Sequence, residues 1–149
     1  MPGMTEHIGV PLDDFEVEEF LESRGLGVLG LARADTAYTI PIAFAYDGSN
    51  HRCILRFVAG EDSKKAAFAD ATETATLTVY AWESPERWQS VNLSGELRRL
   101  DSDEIAGAAA LFSDVGEEAA LDIFNDSLDA YETSWYEFAI EEVTGRGNF

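Results

Sequence analysis

The stretch Tyr38-Thr39-Ile40-Pro41-Ile42-Ala43-Phe44-Ala45-Tyr46-Asp47-Gly48-Ser49-Asn50-His51-Arg52-Cys53-Ile54-Leu55-Arg56-Phe57-Val58 decides the fold. Successive side chains of a strand point to opposite faces, so Tyr38, Ile40, Ile42, Phe44 and Tyr46 share one side. Thr39, Pro41, Ala43 and Ala45 share the other. Asp47-Gly48-Ser49-Asn50 has the composition of a turn, and Arg52 to Val58 reads as a second strand. The two strands form an antiparallel hairpin.

Working outward, Val28 to Ala32 is a short apolar run that suits a strand buried on both faces. Before it, Pro11 to Arg24 reads as an acidic helix: Asp13 and Asp14 suit its first turn and Gly25 stops it. After the hairpin, Glu61 to Ala71 is an alanine-rich helix. Strands follow at Thr74 to Trp82 and Trp88 to Leu97, separated by the breaker Glu83-Ser84-Pro85-Glu86. Asp101 with Glu104 forms a capping box that opens a helix to Phe112. Ser113 to Gly116 reads as a loop and Ala119 to Leu128 as another short helix. Trp135 to Val143 closes the series as a strand, with Tyr136, Phe138 and Ile140 inward. Strands joined mainly by hairpins and short breaks predict a mainly β protein with flanking helices, its antiparallel sheet curled into a small barrel. No GxGxxG follows a strand and no phosphate loop occurs, which argues against Rossmann and nucleotide-triphosphatase folds. All 149 residues fit one domain.

Twenty-nine acidic residues stand against ten Lys and Arg, a net charge of -19. Such a charge repels nucleic acid and anionic lipid, so neither is an expected partner. The acids are interspersed with aromatic and β-branched residues, which implies a folded surface adapted to high salt, where repulsion is screened within about 3 Å at 1 M. The N-terminus lacks a secretory pattern and no run reaches the ~20 apolar residues of a membrane span, so a cytoplasmic protein is expected. Cys53 stands alone in an apolar stretch and reads as a small buried hydrophobe.

Protein-based catalysis finds little footing. His7 and His51 are isolated, no serine sits in a nucleophile elbow, and metal-ligand spacing is missing. An enzyme built from this chain would rely on a cofactor. One feature breaks a rule. The chain's two lysines, Lys64 and Lys65, sit beside Ser63 in the first turn of a helix, where the dipole favours anions. Either they serve a phosphate bound at that helix start, or Glu61 and Asp62 cap the helix and the lysines are solvated. Tyr80, Trp82 and Trp88 could stack on a planar ring or pack a core or dimer interface. Gln89, Ser90 and Asn92 could meet the polar edge of such a ring or line a solvated strand face.

At these residues the sequence resembles the FMN-binding split-barrel superfamily, specifically the pyridoxamine 5'-phosphate oxidase-related proteins with their nitroimidazole-resistance-like branch. The resemblance runs in order through Gly27-Val28-Leu29-Gly30-Leu31, Tyr38 to Phe44, Asp47-Gly48, Leu55-Arg56-Phe57, Ser63-Lys64-Lys65-Ala66 and Trp88 to Leu97. It implies an antiparallel split β-barrel that forms a homodimer with two FMN sites, each built from both subunits. By resemblance, Tyr38, Thr39, Ile40, Pro41 and Ile42 would offer backbone groups to the isoalloxazine. Arg56, Phe57, Ser63, Lys64 and Lys65 would line the ribityl phosphate. Trp88, Gln89, Ser90 and Asn92 would approach the ring, with the partner chain as one source. Arg146, in Thr144-Gly145-Arg146, would lie near the site or in a free tail. The strand Thr39 to Phe44 lacks the basic residue of true pyridoxamine 5'-phosphate oxidases, and their substrate-binding C-terminal extension is missing, so oxidation of pyridoxamine phosphate itself is not implied. The expected function is an FMN-dependent oxidoreductase of unidentified substrate. The alternatives are a flavin carrier or sensor and a split barrel that has lost its ligand.

Overall fold

The protein is described by a computed structural model covering residues 9–58, 63–115 and 133–149. In chain order its elements are β1 (Val10–Pro11), α1 (Asp14–Glu22), β2 (Leu26–Arg33), β3 (Thr36–Asp47), β4 (Arg52–Val58), α2 (Lys64–Ala71), β5 (Ala75–Ser84), β6 (Arg87–Arg99), α3 (Ser102–Val115) and β7 (Thr133–Asn148). The sheet runs β1-β7-β4-β3-β2-β5-β6, and β6 pairs back onto β7. All pairings are antiparallel, so six long strands close into a barrel. Closure removes the edges that an open sheet of this length would expose.

The alternation in the hairpin sets the inside of the barrel. Ile40, Ile42, Phe44 and Tyr46 pack with Cys53, Leu55 and Phe57 of the next strand. Leu29, Leu31, Leu77, Val79, Val91, Leu93, Tyr136 and Phe138 complete the same core. α1 inserts Val17, Phe20 and Leu21 into it. A second cluster lies outside the barrel wall. There Ala43, Ala45 and Ile54 are small or flat enough for α3 to approach with Ala108 and Phe112. This explains why β4 is buried on both faces: one side is barrel core, the other is roofed by α3.

Barrel closure depends on Gly95. The β6–β7 register shifts between Ser94 and Gly95. A Cβ at Gly95 would collide with the Ala139 carbonyl oxygen across the seam. Cys53 is fully buried, and burial pushes its thiol up to about 12. No helix among the described residues is long and apolar enough to cross a membrane.

Several boundaries differ from the sequence expectation. α1 starts at Asp14, because Asp13 forms a capping box with Glu16 at 2.8 and 2.9 Å, while Pro11 pairs with Arg146 in β1. α3 runs on through Val115, so residues 113–115 are helical and not loop. The last strand extends to Asn148, because its far half is held between β1 and β6. Arg146 is therefore a strand residue and not part of a tail. The helix expected over Ala119 to Leu128, together with Gly60, Glu61, Asp62 and His7, lies outside the described residues.

Candidate functional site

Arg56 is the residue that the fold treats most unusually. It sits on the outer face of β4, opposite Ala43 of β3 and Trp135 of β7. α3 covers it, leaving 6% of its surface exposed. Its guanidinium lies 4.8 Å from the Phe112 ring centre and 5.9 Å from that of Trp135. Those rings meet edge-on at 5.5 Å. The Nε and Nη2 atoms are buried and have no hydrogen-bond partner among the described residues. Burial pushes the Arg56 pKa down, yet an arginine remains charged in a protein. The two ring contacts contribute about 0.5–2 kcal/mol each, less than the several kcal/mol that burying an unpaired ion costs. Buried polar groups are normally satisfied, so a cation left this way is able to take an anion as its partner.

That place is a groove of about 200 Å³, which Arg56 shares with Lys65, Pro41, Leu26 and Val58. Ile42 and Phe57 border it as well, with side chains that belong to the barrel core. Lys65 arrives from the first turn of α2. Ser63 caps that helix, its Oγ accepting from Ala66 N at 3.1 Å. The neighbouring Lys64 goes elsewhere: its Nζ stands 4.9 Å over the Tyr38 ring and 6.0 Å from that of Phe68. Tyr38 itself packs on Phe68 at 5.1 Å, Ile40 is core, and Thr39 is exposed on the outer face. The two lysines thus separate. One joins Arg56 and the other lies against Tyr38 and Phe68.

A second group assembles on β6 and β7. Trp88, Ser90, Asn92 and Arg146 line a groove of about 580 Å³ together with Pro11 and Leu12. Arg146 Nη2 donates to the Gly9 carbonyl at 2.9 Å. Gln89 has the opposite parity and lies on the strand side of Val91 and Leu93, so it parts from Ser90 and Asn92.

The two groups are linked by one continuous outer face. Strand registers align Pro41, Val28, Thr78 and Asn92 in a row across β3, β2, β5 and β6. Beside it runs the row Thr39, Gly30, Thr76 and Ser94. Further along, Tyr80 pairs with Ser90 and Trp82 with Trp88. Tyr80 and Trp82 are exposed. None of these side chains is charged, on a protein with 29 acids and 10 bases. Three interstrand steps put about 14 Å between Pro41 and Asn92, too far for one small group to bridge.

Phe112, Trp135, Leu26 and Val58 were not among the residues singled out from the sequence. Phe112 and Trp135 meet only when α3 folds over β7, and nothing in their local sequence signals a guanidinium between them. Asp101, Asp103 and Glu104 also bring carboxylate oxygens within 4.8 Å of one another, but Glu104 is engaged by Arg98 at 2.9 and 3.0 Å.

The family model described as pyridoxamine 5'-phosphate oxidase matches residues 13–147. Comparison with curated proteins finds none that matches. Among solved structures, the chain is similar to a FAD-binding protein of Mesorhizobium loti, with TM-score 0.73 and 20% identity over 94% of this chain and 98% of that one. It is similar to the FAD-binding protein of Mycobacterium smegmatis, with TM-score 0.65 and 18% identity over 94% and 100%. It also resembles a proposed 5-nitroimidazole antibiotic resistance protein of Bacteroides thetaiotaomicron, with TM-score 0.71 and 13% identity over 93% and 86%. At such identities the likeness establishes the fold, an antiparallel split barrel. With a family match from the cap of α1 to the penultimate residue of β7, the chain belongs to the pyridoxamine 5'-phosphate oxidase family.

Proposed function

We propose that this chain binds FMN at two sites shared between the subunits of a homodimer and acts as an FMN-dependent oxidoreductase on a small substrate. The observation that carries the reading is Arg56, a buried cation whose Nε and Nη2 have no hydrogen-bond partner among the described residues, with Lys65 in the same groove. A terminal phosphate monoester is a dianion at neutral pH and would satisfy both groups through charge-assisted hydrogen bonds. Pro41 and the outer edge of β3 border that groove, so a ring attached to the phosphate would extend along the uncharged face. Trp88, Ser90 and Asn92 suit a planar ring but stand about 14 Å away in the same chain. A twofold axis near Val28 and Thr78 would lay the second subunit's β6 over the first subunit's β3, completing both sites at once. The uncharged face supports that pairing, since it can meet its own copy without like-charge repulsion.

The flavin, when bound, would supply electron and hydride transfer. The chain's own part would be to hold the phosphate at Arg56 and Lys65 and to shield the ring from water with Trp88. The protein purified in molar salt should show a flavin spectrum, and the apo-protein should bind FMN at least about a hundredfold tighter than riboflavin, which lacks the phosphate. A protein that binds neither would overturn the reading. Bleaching of the flavin absorbance by NADH or NADPH tests the redox role, and a spectrum unchanged by both would leave a carrier or sensor.

A further inference from the structure

The Tyr136 hydroxyl donates to Asp70 Oδ1 at 3.0 Å, a bond that joins β7 to α2 across 66 residues of sequence. Tyr136 is a core residue, 2% exposed, whereas Asp70 lies on the surface. Burial, and then the bond to Asp70, pushes the Tyr136 pKa up to about 12, so the phenol keeps its proton and donates. A hydroxyl donating to a carboxylate makes a charge-assisted bond, stronger than one between neutral groups. The Tyr136 ring packs on that of Phe57 at 4.7 Å, and Phe57 borders the Arg56 groove. In the β4–β7 ladder Tyr136 pairs with Leu55, while its neighbour Trp135 pairs with Arg56. The tether thus starts from the strand pair that carries Arg56.

It ends on the helix that carries Lys65. α2 has eight residues, about two turns, too few to set its own orientation without tertiary contacts. Phe68 and Ala69 bury one side of it in the core. Just past its end, Thr72 Oγ1 accepts from Ala32 N at 3.1 Å, which ties the helix to β2. A helix held at β2 alone can still pivot about that point. Asp70 supplies a second tie on another strand, and two separated ties fix a rotation. Rotation matters here because adjacent helix positions point about 100° apart. At the observed rotation Lys65 lines the Arg56 groove and Lys64 lies against Tyr38.

We infer that Tyr136 and Asp70 are positioning residues for the phosphate: their hydrogen bond holds α2 at the rotation that brings Lys65 to Arg56. The inference rests on the reading of that groove as a phosphate site. Neither residue touches the ligand. Asp70 acts here through its acceptor oxygen, because its charge by itself can only oppose an anion nearby. The two contributions have opposite signs, so substitutions at Asp70 separate them.

Fluorescence titration of the full-length apo-protein with FMN and with riboflavin, at one fixed ionic strength, tests this. Tyr136→Phe should weaken FMN about fivefold and leave riboflavin, which has no phosphate, within about twofold. In a Lys65→Gln background Tyr136→Phe should cost FMN less than about twofold, since the residue it positions is gone. Asp70→Ala should weaken FMN about fivefold, while Asp70→Asn, which keeps an acceptor oxygen, should stay within about twofold of the parent. If Tyr136→Phe does not fold, the surface variant Asp70→Ala takes its place in the same comparisons. Equal losses of FMN and riboflavin, an undiminished loss in the Lys65→Gln background, or tighter FMN binding in Asp70→Ala would each overturn the inference. A parent protein that does not prefer FMN to riboflavin would overturn the phosphate reading itself, and the inference with it. A parent that does prefer FMN, with Tyr136→Phe unchanged in affinity, would overturn the inference alone.

Discussion

The Arg56 guanidinium stands over the Phe112 ring at 4.8 Å while its Nε and Nη2 find no hydrogen-bond acceptor among the described residues. The free protein therefore holds a cation whose hydration has been lost and only partly replaced. Replacing a buried ion with an apolar side chain of similar length is often neutral or stabilising, by about 1–4 kcal/mol. Arg56→Met should leave the apo-protein as stable as the parent or more so in denaturant unfolding. FMN affinity should fall at least about a hundredfold, with a much smaller loss for riboflavin. A variant that loses stability but keeps FMN would show that Arg56 serves the fold alone.

Lys64 and Lys65 are neighbours in sequence with different surroundings in the fold. Lys65→Gln should weaken FMN about tenfold or more, since Lys65 shares the Arg56 groove. Lys64→Gln should leave FMN affinity within about threefold and lower stability by at most about 1 kcal/mol, the scale of an exposed cation–π contact over Tyr38. Fluorescence titration and thermal unfolding of the two variants separate these roles.

Val28 lies midway along the row that joins Pro41 to Asn92. Val28→Glu would put a charge on the uncharged face, and a twofold axis there would bring two such charges together. Light scattering in molar salt should return about twice 16.4 kDa for the parent and about 16.4 kDa for the variant. The monomeric variant should also lose flavin. A parent that is monomeric and still flavin-bound would rule out shared sites.

Glu104 is held well below the ordinary carboxylate value of 4.5, at about 2, by the hydrogen bonds of Arg98 and then by the Asp101 backbone N–H. Because its folded pKa is depressed, its stabilising effect is present above the ordinary value and is lost as pH falls from about 4.5 towards about 2. NMR titration of its side-chain carbonyl should show a midpoint near 2, and Arg98→Gln should move that midpoint back up. An unchanged midpoint would mean that the Arg98 contact does not set it.

The charge of -19 gives a prediction for the whole molecule. Dilution from molar salt to ~50 mM lengthens the screening distance several-fold, so self-repulsion rises and a phosphate meets a more repulsive protein. Both unfolding temperature and FMN affinity should drop. Equal or higher values at low salt, with the fold intact, would contradict an adaptation to salt.

The hairpin from Tyr38 to Val58 was legible because strand periodicity and turn chemistry are local properties of the chain. Element ends were less legible for an equally physical reason. Asp13 outcompeted Pro11 as the start of α1 because its carboxylate reaches the Glu16 N–H, and Arg146 became a strand residue only because β6 and β1 flank it.

By itself the sequence determined the mainly β class, the inner face of the barrel, the acidic surface, and the residue types able to hold a phosphate or stack on a ring. Each follows from side-chain chemistry and from spacing along the chain. Tertiary structure alone decided how those candidates are grouped. Lys65 turns to Arg56 while Lys64 turns to Tyr38, because adjacent positions on a helix point about 100° apart and only one faces the groove. Arg56 became a buried cation only when α3 brought Phe112 over it, across a sequence distance at which no local pattern carries information.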